Sequence, residues 1–120
     1  MRSAGPGAFL LALVAAGCTP AKVRFDDETI PKLCAAASDC ARTFDAEGCV
    51  ETLRSDVIQR ECKFSEPDAE DCTEELDAGF ACETDLFGKR TLAASEACHA
   101  AYQCPVGKPW LDAMLGPAPR

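Results

Sequence analysis

Apolar side chains recur at steps of three and four residues once the chain passes residue 29. In the first such stretch the positions are Ile30, Leu33, Ala37, Cys40 or Ala41, and Phe44. This period places apolar side chains on one face of a helix. Thr29 is suited to cap that helix, and Pro31 is tolerated in a first turn. The pattern predicts a helix over residues 30–43.

Three later stretches also predict helices. Val50, Leu53 and Val57 mark a stripe on a second helix, over residues 48–62. A third helix follows Ser65 and ends near Cys82, with its stripe at Ala69, Cys72, Leu76 and Phe80. A fourth is capped by Thr91 or Ser95 and stopped by Pro105.

The remaining segments show no strand alternation, and the stretch TDLFGKRT reads as a loop because it contains a glycine and no sustained period. We therefore expect an all-α fold, a small bundle of about four helices in two antiparallel hairpins. This helical domain is expected to span residues 29–105.

The C-terminal tail, residues 106–120, carries a separate apolar group. Trp110, Leu111, Met114 and Leu115 are spaced by about one helical turn. We expect a short helix that covers an open face of the bundle; the alternative is a peptide that binds a partner.

The N-terminal residues have the pattern of an export signal. Arg2 is the one charged residue in positions 1–7, and nine apolar residues follow from Ala8 to Ala16. Nine residues are too few to cross a bilayer core, which needs about 20. The pattern predicts a signal peptide over residues 1–17.

The leader ends in Leu13-Val14-Ala15-Ala16-Gly17-Cys18. This stretch resembles the lipobox of bacterial lipoproteins, with Ala15 where leucine is commonest. The resemblance implies that Cys18 is lipidated and becomes the first residue after cleavage. Since Thr19 is not aspartate, it also implies sorting to the outer membrane of a bacterial envelope. Residues 18–28 would then be a lipid-anchored tether; a secreted or periplasmic protein is the alternative.

Cysteine is unusually frequent, with nine in 120 residues. Cys18 is one of them, and the other eight are Cys34, Cys40, Cys49, Cys62, Cys72, Cys82, Cys98 and Cys104. Their spacing lacks the close pairs of zinc and iron–sulfur sites, so it favours a disulfide scaffold in an oxidising compartment. Lipidation of Cys18 would leave an even number to pair.

Antiparallel helical hairpins favour one nested pairing, because the residue numbers of level partners have a nearly constant sum. The predicted disulfides are Cys34–Cys62, Cys40–Cys49, Cys72–Cys104 and Cys82–Cys98. Eight cysteines allow 105 pairings. Cross-links between the two hairpins, such as Cys34–Cys104, remain open, because cysteines six residues apart do not share a helix face.

The formal net charge is −8, which makes nucleic acid and anionic lipid surfaces poor partners for the folded part. The acids Asp68, Glu70 and Asp71 lack the spacing of a calcium loop and suit a solvated helix face. His99 is the only histidine, and its neighbour Cys98 is expected in a disulfide. We therefore predict no enzyme, no metal and no cofactor.

The stretches DAEDCTEELDAGFAC and SEACHAAYQC resemble small cysteine-rich lipoproteins of myxobacteria, most of which have no assigned activity. The resemblance implies no reaction. We expect a non-catalytic structural or interaction module that is held to the membrane by its lipid, with a protein partner open. The alternatives are a small-ligand-binding module with a pocket between the hairpins, and a thiol-redox or other enzyme.

Overall fold

The computed structural model describes residues 19–116, which contain six helices, one π-helical turn and four short strands. The helices are α1 (Ala21–Arg24), α2 (Ile30–Cys40), α3 (Ala46–Gln59), α4 (Glu66–Ala78), α5 (Glu96–Ala100) and α6 (Asp112–Leu115). The π-helical turn is Phe25–Thr29. The strands are β1 (Lys63–Phe64), β2 (Cys82–Thr84), β3 (Arg90–Leu92) and β4 (Tyr102–Gln103).

The prediction of an all-α fold is wrong, because the helices are accompanied by two small antiparallel sheets. Strand β1 pairs with β4, and β2 pairs with β3. Strands of two or three residues are too short to show the alternation that identifies a strand in a sequence. The protein is a mixed α and β domain in which helices predominate.

The segment predicted as a tether is helical and belongs to the fold. Residues 21–29 form α1 and the π-helical turn, and Lys22 pairs with Asp26 one helical turn away at 3.0 Å. Phe25 is only 3% exposed. A single buried ring does not form a periodic apolar stripe, so the sequence pattern did not predict that Phe25 belongs to the core. Cys18 and the predicted signal peptide lie outside the described residues.

Helices α2 and α3 pack against each other across a short connection. Helix α2 ends at Cys40 because Ala41 is extended (φ −141°, ψ 116°). The Asp45 side chain caps α3 by accepting a hydrogen bond from the Gly48 amide at 3.1 Å. These bounds differ by a few residues from the predicted helices 30–43 and 48–62.

Four disulfides use all eight cysteines of the described part, as the cysteine content predicted. The pairs are Cys34–Cys49, Cys40–Cys82, Cys62–Cys104 and Cys72–Cys98. The nested scheme, with Cys34–Cys62, Cys40–Cys49, Cys72–Cys104 and Cys82–Cys98, is therefore wrong in every pair.

The nested scheme failed because it treated every cysteine as a helix residue. Cys62 and Cys104 flank the β1–β4 pair, in which Lys63 faces Gln103, so the antiparallel register continues by one residue into the disulfide. Helix α5 ends at Ala100, before Cys104. Cys98, which lies within α5, is therefore the residue that forms the disulfide with Cys72 of α4.

The core contains an aromatic cluster of Phe25, Phe64, Tyr102 and Trp110. Their ring centroids lie 5.1–6.0 Å apart in the five contacting pairs. The indole Nε1–H of Trp110 donates to the carbonyl of Cys98 at 3.0 Å. The four residues come from the π-helical turn, both strands of one sheet and the segment before α6, so the cluster joins the first and last parts of the described domain.

The C-terminal segment packs on the domain, as the apolar spacing predicted. Trp110 and Leu111 are fully buried, and α6 follows directly. Arg60 holds the preceding loop by donating from Nη1 to the carbonyls of Val106 and Lys108, at 3.1 and 2.7 Å. The domain therefore extends well beyond residue 105.

Candidate binding groove

Every cysteine that the structure describes is bonded to another cysteine. Cys98, beside His99, is bonded to Cys72. Thiolate chemistry requires an ionised free thiol, and Cys98 in its disulfide offers none to the adjacent His99. Cys18, the predicted lipidation site, lies outside that range.

His99 is partly buried and lines a shallow depression together with Asp68, Glu75 and Glu96. Its side chain is 9% exposed, and its Nδ1 lies 3.6 Å from Oδ1 of Asp112. Burial lowers the pKa of His99, while the carboxylates of Asp112 and Glu96 raise it by less. Nδ1 has no hydrogen-bond partner among residues 19–116.

Helix α4 carries the acidic residues Asp68, Glu70 and Asp71. Asp68 accepts a hydrogen bond from the Ser65 hydroxyl at 2.6 Å, in the first turn of the helix. Among residues 19–116, no group of three or more histidine, cysteine, aspartate or glutamate side chains is close enough to hold a metal ion. Asp68 lies in the first turn of α4, where the helix dipole favours negative charge, whereas Glu70 and Asp71 are exposed in the following turn.

A groove of about 590 Å³ with a partly apolar lining lies between the end of α2, strand β3 and α6. Its apolar floor is formed by Ala37, Phe44, Leu92, Met114 and Leu115. Its basic rim is formed by Arg42, Lys89 and Arg90. Volumes of 300–1,000 Å³ are typical of small-molecule sites.

Local structure explains how these elements meet. The Cys40–Cys82 disulfide fastens the end of α2 to strand β2, and β2 pairs with β3, which brings Leu92 to the floor. The C-terminal segment, folded back by the burial of Trp110, supplies Met114 and Leu115. The groove is therefore built from three separate parts of the chain.

The charge of the rim differs from that of the molecule. Three cations and one acid, Asp39, line the groove, whereas the chain as a whole is at −8. The side chains of Arg42, Lys89 and Arg90 make no ion pair or hydrogen bond with any residue from 19 to 116. Unpaired cations beside an apolar floor suit a ligand that is both anionic and apolar.

A second exposed feature is the tip of the β2–β3 hairpin. Leu86 and Phe87 are 99% and 95% exposed. The tip is ordered by Asp85, whose Oδ1 accepts hydrogen bonds from the amides of Phe87 and Lys89, both at 2.9 Å. The same turn thus places Lys89 on the groove and the two apolar side chains in solvent.

Sequence reasoning missed the groove. The stretch TDLFGKRT was interpreted only as a loop, although Lys89 and Arg90 form a rare adjacent basic pair in an acidic chain. That pair was the available signal. Arg42 and the other floor residues except Leu92 lie elsewhere in the sequence, and the Cys40–Cys82 disulfide joins two of these parts.

The fold and the groove define a class, a small disulfide-stapled domain with an open amphipathic cavity. No protein-family model matches the chain, and neither the curated proteins nor the solved structures contain a significant match to it. None of the helices in residues 19–116 combines the length and the apolar character needed to span a bilayer.

Proposed function

We propose that this protein is a lipid-anchored component of a bacterial envelope, and that its folded domain is a non-catalytic interaction module. The anchor proposal is supported by the way the cysteines are paired. Eight of the nine are joined in four disulfides within residues 19–116, so Cys18 is the one that the framework does not require. A lipobox-like stretch ends at that residue.

The anchor proposal is tested by expressing the full chain and its Cys18→Ala variant in a bacterial host. We expect the chain that keeps Cys18 in the membrane fraction. Its mass should exceed that of the polypeptide from residue 18 onwards by a diacylglyceryl group, with or without a further acyl chain. More than one acyl chain holds a protein stably on a membrane. The Cys18→Ala variant should lose both the mass increase and the membrane association.

A matched variant tests the sorting step separately. Thr19→Asp keeps Cys18 and is expected to remain lipidated but to move from the outer to the inner membrane. Equal, soluble behaviour of the unmodified and Cys18→Ala chains would refute the anchor. Lipidation without a change of membrane in Thr19→Asp would refute only the outer-membrane location.

The groove favours a second, compatible function, the binding of a small ligand by the envelope domain. Its support is the cavity of about 590 Å³ with an apolar floor and a basic rim. A ligand that binds only the folded state raises the melting temperature, and the shift grows with the logarithm of the free ligand concentration once that concentration exceeds the dissociation constant. Ligand-dependent melting shifts of the Cys18→Ala chain would test this function without the anchor.

A further inference from the structure

The groove combines two kinds of surface that select different parts of one ligand. Ala37, Leu92 and Leu115 are almost fully buried beneath the cavity, so its floor is a firmly packed apolar surface. Phe44 and Met114 are half-buried at its sides. Burial of an alkyl chain on such a floor yields about 0.8 kcal/mol for each methylene removed from water.

The basic rim supplies the second kind of surface. Arg42, Lys89 and Arg90 are all exposed and remain without an ion-pair partner inside residues 19–116. By contrast, Lys22, Lys32, Arg54 and Arg60 are each paired with an aspartate. Three of the described cations that lack an acidic partner thus meet at one cavity, opposed only by Asp39.

We propose that the groove binds a single-chain amphiphilic anion, with its alkyl chain on the apolar floor and its carboxylate or phosphate head at the basic rim. This inference deepens the ligand-binding function proposed above. The guanidinium groups of Arg42 and Arg90 match either head group, because each presents paired N–H donors to two oxygens. The acidic surface elsewhere on the domain repels the same head group.

The binding test uses the full chain with Cys18→Ala, exported so that its disulfides form. The probes are dodecanoate and dodecyl phosphate below their micelle concentrations, with dodecanol and dodecyltrimethylammonium as head-group controls. Titration calorimetry should show one saturable site for at least one of the two anions. Shortening the chain should weaken binding by about fourfold for each methylene lost.

Charge reversal on the rim locates the site. Arg42→Glu should weaken binding of the anions by about tenfold, and added salt should weaken binding to the unmodified rim. Lys63→Glu is the matched control, since Lys63 is an exposed lysine on β1 that does not line the groove. Because neither side chain has a partner to lose among residues 19–116, both variants should keep the parent melting temperature.

The two anionic probes distinguish the sources of the head group. Preference for dodecanoate would assign a fatty acid, and preference for dodecyl phosphate would assign a lysophospholipid-like phosphate; either supports the proposal. Equal binding of all four probes would overturn it, as would an effect of Lys63→Glu equal to that of Arg42→Glu. A groove filled by a second copy of the chain would also overturn it and would appear as a dimer that Arg42→Glu dissociates.

Failure of this proposal is distinguishable from failure of the anchor. The binding measurements use a chain without Cys18, so their result does not depend on lipidation. Conversely, the membrane partition of the unmodified chain does not depend on the groove. A protein that is anchored but binds none of the probes would lose only the inference about its ligand.

Discussion

The hydroxyl of Tyr102 donates a hydrogen bond to the carboxylate of Asp26 at 2.5 Å, which joins strand β4 to the helical segment 76 residues earlier. Burial raises the pKa of Tyr102, and the bond to Asp26 raises it further. Asp26 also pairs with Lys22, whose ammonium lies 5.6 Å from the centre of the Tyr102 ring. These contacts hold the N-terminal helical segment on the aromatic cluster.

Removal of this hydroxyl should destabilise the domain. Because a hydrogen bond to a charged group contributes about 1.5–3 kcal/mol, Tyr102→Phe should lower the free energy of unfolding by about that amount. Urea denaturation followed by circular dichroism measures the change. Asp26→Asn should have a comparable effect, whereas Asp27→Asn removes only an exposed pair with Arg54 and should change stability by less than about 0.5 kcal/mol.

The N-terminal segment also shows what a single sequence could not predict. Helices α2, α3 and α4 were predicted within a few residues of their ends because each has more than ten residues in which a period can repeat. The segment 21–29 buries Phe25 against rings from distant parts of the chain. The apolar pattern within residues 21–29 cannot predict packing against residues that are so distant in the sequence.

We predict that Arg60 holds residues 106–111 in place on the domain. It bonds the carbonyls of Val106 and Lys108 and pairs with Asp56 at 2.6 Å. Arg60→Ala should lower the free energy of unfolding by about 1–2 kcal/mol, because two carbonyl contacts are lost with the ion pair. It should also speed amide exchange in residues 106–111, and Trp110, the only tryptophan, reports that change by fluorescence.

The matched control for Arg60 is Arg54→Ala, which removes an exposed ion pair with Asp27 and no backbone contact. That variant should leave the tryptophan spectrum unchanged. Gly107→Ala provides an independent test, since Gly107 has a φ of +90° and an added Cβ would lie 2.9 Å from Nη1 of Arg60. Normal exchange in residues 106–111 of both Arg60→Ala and Gly107→Ala would show that Arg60 does not hold the segment.

The disulfide pairing in the structure can be tested by peptide mapping. The four pairs are Cys34–Cys49, Cys40–Cys82, Cys62–Cys104 and Cys72–Cys98. Digestion of the unreduced protein with trypsin, an Asp-directed protease and chymotrypsin separates neighbouring cysteines, and mass spectrometry identifies the joined peptides. The peptide with Cys40 should be joined to that with Cys82. A Cys40–Cys49 peptide would contradict the structure.

Reduction should unfold the domain. Each disulfide stabilises a small protein by about 2–4 kcal/mol, whereas the whole free energy of unfolding of a domain is about 5–15 kcal/mol. Loss of four bridges therefore removes most or all of that stability. Circular dichroism before and after reduction measures it, with iodoacetamide blocking reoxidation. A reduced and alkylated chain that keeps its melting transition would refute this dependence.

One of these disulfides explains why the groove could not be predicted from the sequence. Arg42 and Arg90 are distant in sequence and belong to a turn and a strand. They meet because Cys40–Cys82 joins the end of α2 to the β2–β3 hairpin. With 105 pairings available to eight cysteines, the sequence offers no means of choosing this one.

Acid should destabilise the domain through His99. Burial lowers the pKa of His99 below its ordinary value of 6.5, so the unfolded chain binds a proton that the folded chain rejects. Stability is therefore complete above pH 6.5 and falls as the pH drops towards the folded-state pKa, below which this contribution is constant. Melting temperatures between pH 7.5 and 4.5 measure the fall, which should be smaller in His99→Gln.

Asp112 sets the width of that pH window. Its carboxylate lies 3.6 Å from Nδ1 of His99 and raises the pKa of the imidazole against the larger effect of burial. Asp112→Asn should lower the folded-state pKa further, so the loss of stability in acid should be larger and extend to lower pH. Glu61→Gln, at an exposed acid without an ion pair among residues 19–116, is the control. An acid loss unchanged in both His99→Gln and Asp112→Asn would mean that another group controls it.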